Sequence, residues 1–142
     1  MEEKDMSGIK GLIRKNEDGT LSFGDNTLEE KTKKDGFEFE GGLYKVKTYK
    51  DITRLECNES FVYESDPGTV VSEFEETENG MKFNVDGAED ADITVGLADE
   101  TPYEVIVDGR SIGTIETNLS GKLSFSVELG DKDRPVAVEI RK

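Results

Sequence analysis

Residues 37–47 read FEFEGGLYKVK, two alternating runs of apolar and charged side chains joined at a pair of glycines. Such alternation is typical of strands that bury one face, and paired glycines favour a tight hairpin turn. With a turn at Gly41-Gly42, Phe39 is expected opposite Tyr44, with both aromatic rings on the buried face. The stretch therefore predicts an antiparallel sheet with an aromatic core.

A second hairpin is predicted between residues 72–76 and 81–85, where phenylalanines again alternate with charged side chains. A four-residue loop at 77–80 places Phe74 opposite Phe83 and pairs Glu75 with Lys82. A two-residue Asn-Gly turn is the alternative, but it sets an apolar residue against a carboxylate. The longer loop is the better prediction.

The last third of the chain is predicted to form a meander. Asp108-Gly109 is a strong signal for a two-residue type I′ turn. Ile112 and Ile115 have opposite parity along the next strand, so both reach the core only if a bulge lies at Gly113. A loop at 119–121 then sets Ile115 opposite Phe125.

Composition supports a folded chain and excludes most enzyme chemistry. The 142 residues include 18 basic and 33 acidic side chains, for a formal charge of -15, one Cys and no His. Without His there is no imidazole general base, nucleophile partner or metal ligand, and one Cys forms no internal disulfide. The acid excess repels phosphate, so neither nucleic acid nor an anionic membrane surface is an expected partner.

The organisation of the chain points to two small antiparallel modules. Residues 65–68, Ser-Asp-Pro-Gly, form the clearest break, and the net charge changes there from -5 over residues 1–66 to -10 over residues 67–142. We expect an all-β protein with an N-terminal β module at 1–66 and an immunoglobulin-like β-sandwich at 67–142. Residues 1–5 lack the apolar core of a secretory signal, and no apolar run is long enough to span a membrane, which favours the cytoplasm.

Several stretches resemble short all-β proteins of anaerobic Gram-positive bacteria, some of which carry the label endosialidase. They are residues 18–24, 43–48, 61–65 and 103–109, together with 117–124. The pattern at 103–109, Tyr-x-Val-x-Val-Asp-Gly, is also similar to accessory β-sandwiches of glycan-degrading enzymes, which implies a carbohydrate-binding role. Sialidases hold the substrate carboxylate with clustered arginines. None of the five arginines lies in such a motif, so no residue is assigned a catalytic role.

The densest acidic cluster is the candidate for a metal site. Asp86, Glu89, Asp90 and Asp92 lie within seven residues, next to Gly87, and calcium prefers oxygen ligands supplied by a flexible loop. The spacing does not match an EF-hand loop. A loop kept soluble by its charge is the favoured interpretation, with these four residues as the calcium candidates and no cofactor expected.

The remaining candidates are the lone thiol and two tyrosines. Cys57 alternates with Leu55, which predicts a buried strand position and a small apolar role. Tyr49 and Tyr63 are the candidate aromatic platforms for a glycan, since the chain has no Trp. Overall the sequence favours a non-catalytic structural or interaction protein that binds a protein partner or itself through an exposed strand, with carbohydrate binding as the alternative.

Overall fold

The structure is a computed structural model, and it describes residues 8–130 and 132–142. Residues 1–5, on which the prediction of a cytoplasmic location depends, lie outside the described residues. Over the described ranges the chain forms thirteen strands and no helix. The strands are β1 (Ile13–Lys15), β2 (Leu21–Phe23), β3 (Thr32–Phe39), β4 (Gly42–Tyr49), β5 (Ile52–Cys57), β6 (Ser60–Asp66), β7 (Val70–Thr77), β8 (Gly80–Asp86), β9 (Ala91–Gly96), β10 (Pro102–Val107), β11 (Arg110–Glu116), β12 (Lys122–Val127) and β13 (Val136–Arg141).

The strands form two antiparallel sheets. The seven-stranded sheet has the order β1-β2-β7-β8-β13-β10-β11, and the six-stranded sheet has the order β12-β9-β6-β5-β4-β3. Every pairing between described strands is antiparallel. The prediction of an all-β antiparallel protein is confirmed.

The two sheets share one apolar core. Tyr63 of the six-stranded sheet is fully buried, and its ring meets Phe23 and Phe83 of the seven-stranded sheet edge to face, with centroids 5.4 and 5.6 Å apart. Edge-to-face rings add to the free energy of apolar burial because a positive ring edge meets a negative ring face. Aromatic side chains therefore join one sheet to the other: Phe83 was predicted to be core, whereas Tyr63 was predicted as a candidate glycan platform.

The expected boundary at residues 65–68 does not separate two sheets. β2, which carries β1 on its other side, pairs with β7 across it, and β6 pairs with β9. Both sheets therefore draw strands from both halves of the chain, and one cluster of buried side chains extends over all of them. Neither the division into 1–66 and 67–142 nor an immunoglobulin-like topology is confirmed.

The hairpin at 37–47 has the predicted faces but a different register. Phe37, not Phe39, opposes Tyr44, and Phe39 opposes Gly42. The turn consists of Glu40 and Gly41, both at positive φ (47° and 80°), as a type I′ turn requires. The predicted pairing was wrong by two residues, and because two is the side-chain period of a strand, each side chain kept its face.

The register predicted for the second hairpin is confirmed, but its loop is shorter than predicted. Glu75 opposes Lys82, and the pairing continues to Thr77 and Gly80, so the loop has two residues, Glu78 and Asn79, rather than four. A bulge between Ser72 and Glu75, with Glu73 at φ 51°, adds an unpaired residue. The Phe74 and Phe83 rings still meet, with centroids 6.1 Å apart.

The last third departs from the predicted meander. The turn at Asp108-Gly109 and the bulge beside Gly113 are both present, but Ile112 is 50% exposed because β11 is the outer strand of its sheet. After β11 the chain crosses to the other sheet, where β12 pairs with β9. The predicted pairing of Ile115 with Phe125 was therefore wrong.

Candidate functional site

Exposed sheet edges are the natural binding features of this fold, since an unpaired strand presents rows of free N–H and C=O groups. Among the described strands there are four edges. β1 has only three residues, which makes a short template. β3 is interrupted by a bulge between Lys34 and Phe37 and carries several charges, and β11 is interrupted at Ile112. Three edges thus carry features that discourage pairing with another chain.

The fourth edge, β12, has none of these features. Its sequence, KLSFSV, contains one charge and no Pro or Gly, and its pairing with β9 is unbroken from Lys122 opposite Gly96 to Val127 opposite Ala91. No described strand lies on its other side. We refer to that side as the β12 edge.

The hydrogen bonds identify which backbone groups the β12 edge presents. The N–H of Leu97 donates to the carbonyl oxygen of Gly121, which makes these two residues a hydrogen-bonded pair. Because such pairs alternate along an antiparallel ladder, the N–H and C=O of Lys122, Ser124 and Ser126 point away from β9. This alternation sets the geometry of any strand added at the β12 edge.

One of these three positions is already occupied by the chain itself. Asn118 accepts the Lys122 N–H through its Oδ1 at 2.9 Å, and its own N–H donates to the Lys122 carbonyl at 3.0 Å. The added strand therefore finds its partners at Ser124 and Ser126. These two residues, with their four outward backbone groups, form the candidate site.

The side chains along β12 hold the strand rigidly in its sheet. Leu123, Phe125 and Val127 are buried in the core. On the outer face, the hydroxyls of Ser124 and Thr94 lie 2.8 Å apart, and the Ser126 hydroxyl donates to the Asp92 carboxylate at 2.6 Å. A strand anchored on both faces is ordered before a partner arrives, which lowers the entropic cost of binding.

Two of the four predicted calcium ligands, Asp90 and Asp92, have separate hydrogen-bond partners. The Asp90 carboxylate accepts the N–H groups of Gly130 and Leu129, which hold the pKa of Asp90 below its usual range. Asp92 binds Ser126, Asp86 is buried, and Glu89 is exposed. Across residues 8–130 and 132–142, no three His, Cys, Asp or Glu side chains are placed to share a metal ion. The calcium site stays a prediction that this geometry does not favour.

The two candidate glycan platforms differ in exposure. Tyr63 is fully buried, and its hydroxyl lies 2.7 Å from the Thr69 hydroxyl, so it presents no surface. Tyr49 is half-buried, with the Lys31 ammonium 5.8 Å from its ring centroid. Phe61, which the sequence did not single out as a platform, is a half-buried aromatic on the outer face of the six-stranded sheet.

Cations flank the Phe61 ring. The Arg54 guanidinium lies 5.2 Å from its centroid and the Lys122 ammonium 4.7 Å from it. Arg54 is also bonded to the carboxylates of Glu56 and Glu64, each at 3.0 Å. The ring therefore lies among charged side chains, one of which, Lys122, reaches it from β12.

The acidic side chains outside this region include those around a shallow groove of about 460 Å³ on the outer face of the seven-stranded sheet. It is lined by Glu73, Glu75 and Glu139. Lys82 on β8 pairs with Glu75 on one neighbouring strand and with Glu139 on the other. Opposite charges on neighbouring strands stabilise a sheet. The charges of Glu75 and Glu139 are thus balanced by Lys82 across the strands. The groove does not have the arrangement of a glycoside hydrolase site, in which two carboxyl groups face each other across a bound substrate.

Cys57 is half-buried at the end of β5 rather than fully buried as predicted. It lies beside the Tyr44 hydroxyl, and burial, followed by the bond to this thiol, raises the pKa of Tyr44. No described residue is a histidine that could form a thiolate pair with it. Its place is structural, at the rim of the core.

The sequence does not reveal the β12 edge, because the hairpin it predicts over residues 110–125 pairs β12 with β11. A scan for short segments of high β-propensity, low charge and no Pro finds residues 122–127 without knowledge of the pairing.

No helix in the described ranges has the length and apolar character needed to cross a bilayer. Comparison of the chain with protein families, curated proteins and solved structures finds no match.

Proposed function

We propose that this protein is a non-catalytic interaction module that binds an extended polypeptide segment by adding it as a strand at the β12 edge. The observation that carries the proposal is the set of outward backbone groups at Ser124 and Ser126, on the one described edge without a bulge, a charge cluster or a very short strand. Main-chain hydrogen bonds supply the affinity in this mode of recognition, and alternate side chains supply the specificity.

The chemistry of the surroundings limits the kind of segment that fits. Inward side chains of the added strand continue the row of Leu123, Phe125 and Val127 and are expected to be apolar, whereas outward side chains meet hydroxyls. The charge of -15 favours a neutral or basic segment over an acidic one. The description of residues 67–142 as an immunoglobulin-like sandwich belongs to the same proposal, with β9 and β12 supplying the part of its second sheet that continues into β6, β5, β4 and β3.

The proposal is tested by titrating the isotope-labelled protein with nine-residue peptides that alternate valine with threonine or lysine. We expect the backbone amide resonances of Ser124 and Ser126 to shift most. Ser124→Pro removes one outward N–H, and proline is tolerated at an outward edge position, so this variant should fold and lose binding. Ser124→Ala keeps the N–H and should retain it.

Two results contradict strand addition at the β12 edge. One is the absence of any shift at these two amides with every peptide at millimolar concentration. The other is a Ser124→Pro variant that binds as the wild type does. Ser126→Pro provides an independent variant if the first does not fold.

Carbohydrate binding is the second candidate, and Phe61 is the observation that favours it. An aromatic ring at the surface can stack on a sugar, and the neighbouring charges of Arg54, Glu56 and Glu64 can bind its hydroxyls. A glycan array with wild type and Phe61→Ala distinguishes the candidates. Wild-type binding that Phe61→Ala loses and Ser124→Pro keeps supports the glycan function.

A further inference from the structure

We infer that the segment received at the β12 edge is β12 of a second copy of this chain, paired antiparallel about a two-fold axis at Phe125. The inference rests on the proposed function and names its partner. It follows from the register that the free backbone groups allow, from the side chains that this register brings together, and from the charges at the two ends of the strand.

The backbone allows one register that uses all the free groups. Ser124 of one copy opposite Ser126 of the other exchanges two hydrogen bonds, and the two-fold axis repeats the exchange, for four bonds in all. Setting Ser124 opposite itself instead directs Ser126 at Lys122, whose backbone groups already bind Asn118. Setting Ser126 opposite itself directs Ser124 beyond the end of β12. Only the first register pairs both free serines of each copy with free serines of the other, and it leaves Lys122 bound to Asn118 at each end of the four-bond ladder.

The same register is favourable on the buried face. Phe125 lies opposite Phe125 of the second copy at the axis, and Leu123 lies opposite Val127 of the second copy on either side of it. Aromatic and aliphatic pairs directly across antiparallel strands each stabilise a sheet. All three side chains already line the core, so the pairing extends the apolar row of one sandwich into the next.

Charges at the two ends of β12 are complementary in this register. Lys122 is exposed at the start of the strand, and the exposed Glu128 follows its last residue. A pairing that sets Ser124 opposite Ser126 brings the Lys122 side chain of each copy to the same end of the ladder as Glu128 of the other, while the Lys122 backbone stays bound to Asn118. No like charges face each other directly, although each copy is strongly acidic overall.

The net charge determines how the dimer responds to salt. Two copies of charge -15 repel each other over a long range, whereas each exposed Lys–Glu pair contributes at most about 1 kcal/mol. The screening length falls from about 30 Å at 0.01 M salt to about 8 Å at physiological ionic strength. Dimerisation should therefore strengthen as salt rises over this range.

Sedimentation velocity from micromolar to millimolar protein tests the inference. We expect a concentration-dependent dimer for the wild type and a monomer for Ser124→Pro. Lys122→Glu and Glu128→Lys should each weaken the dimer about tenfold, and the double variant should restore it to within about threefold of wild type. Lys10→Glu makes the same change of charge as Lys122→Glu at another exposed site and should leave the dissociation constant within about threefold of wild type.

The outcomes separate this inference from the proposed function. A wild type that stays monomeric at every concentration overturns the dimer, and the peptide titration then decides independently whether the edge accepts strands. A dimer that survives Ser124→Pro and Ser126→Pro uses another surface and also overturns the inference. Failure of the double variant to recover while both single variants weaken association contradicts the register.

Discussion

Removing a buried hydroxyl of the Tyr63–Thr69 cluster tests how the two halves of the chain are joined. The Tyr63 hydroxyl lies 2.7 Å and the Ser65 hydroxyl 2.8 Å from the hydroxyl of Thr69, and none of the three residues is more than 1% exposed. Tyr63 and Thr69 lie on opposite sides of the boundary expected at residue 66. A network without access to water makes each hydroxyl depend on the others.

The magnitudes follow from which groups lose partners. Tyr63→Phe removes one hydroxyl and leaves Thr69 bonded to Ser65, so we expect a loss of about 1 kcal/mol in the free energy of unfolding. Thr69→Val removes the partner shared by the buried hydroxyls of Tyr63 and Ser65, which then have only each other, and should cost about 2 to 3 kcal/mol. In the double variant the Tyr63 hydroxyl is absent as well, so it no longer lacks its Thr69 partner. The double variant should therefore lose as much free energy of unfolding as Thr69→Val alone, which corresponds to a coupling energy of about 1 kcal/mol between the two positions.

The assay is urea and thermal unfolding of the four proteins, followed by circular dichroism. At about 4 °C per kcal/mol, the two single variants should melt about 4 and about 10 °C below the wild type. Each protein should unfold in one transition, because the cluster and the Tyr63 ring contacts cross the core. Additive costs within about 0.3 kcal/mol would refute the shared network, and two separate transitions would support independent modules.

Three further predictions concern charge, backbone space and metal. Asp108→Asn removes a carboxylate whose pKa is lowered chiefly by its hydrogen bond to Arg134. The wild type should be more stable than this variant at any pH above the ordinary Asp pKa, and the difference should vanish as pH falls through the lowered pKa. Thermal melts down to about pH 2 measure this, and a difference that does not change with pH contradicts it. Gly68→Ala should lower the free energy of unfolding by at least about 2 kcal/mol, because the new Cβ would lie 2.0 Å from a backbone carbonyl oxygen. Gly109→Ala, which is strained only by its φ of +81°, should lower it by about 1 kcal/mol. Equal losses for the two variants in urea unfolding would contradict this. Millimolar calcium should leave the melting temperature unchanged, because the Asp90 carboxylate already accepts two backbone N–H groups. A rise of several degrees would instead support calcium binding at residues 86–92.

The parts of the fold that were predictable are local. The alternation at 37–47 identified the buried face correctly even though its register was displaced by two residues, since a displacement of two keeps every face. The turn at Asp108-Gly109 and the bulge at Gly113 follow from residues that accept positive φ. Each feature depends on a few neighbouring residues, so the sequence carries it directly.

Partners between distant strands were not predictable in the same way. Residues 122–127 alternate regularly whether their neighbour is β11 or β9, and the 119–121 loop is compatible with a hairpin or with a crossing to the other sheet. Exposure of Ile112 likewise depends on whether another strand lies beside β11. These choices determine the candidate site, because an edge exists only where the sheet stops.

By itself, the sequence determined that this is an acidic antiparallel β protein without histidine chemistry, and it determined which face is apolar in the hairpins at 37–47 and 72–85. Only the tertiary structure decided that two sheets share strands from both halves, and that no described strand lies on the outer side of β12. The physical reason is that side-chain alternation and turn geometry act over a few residues. The choice of strand neighbour, in contrast, is made by burying both sheets against one core, to which residues as distant as Phe23, Tyr63 and Val138 all contribute.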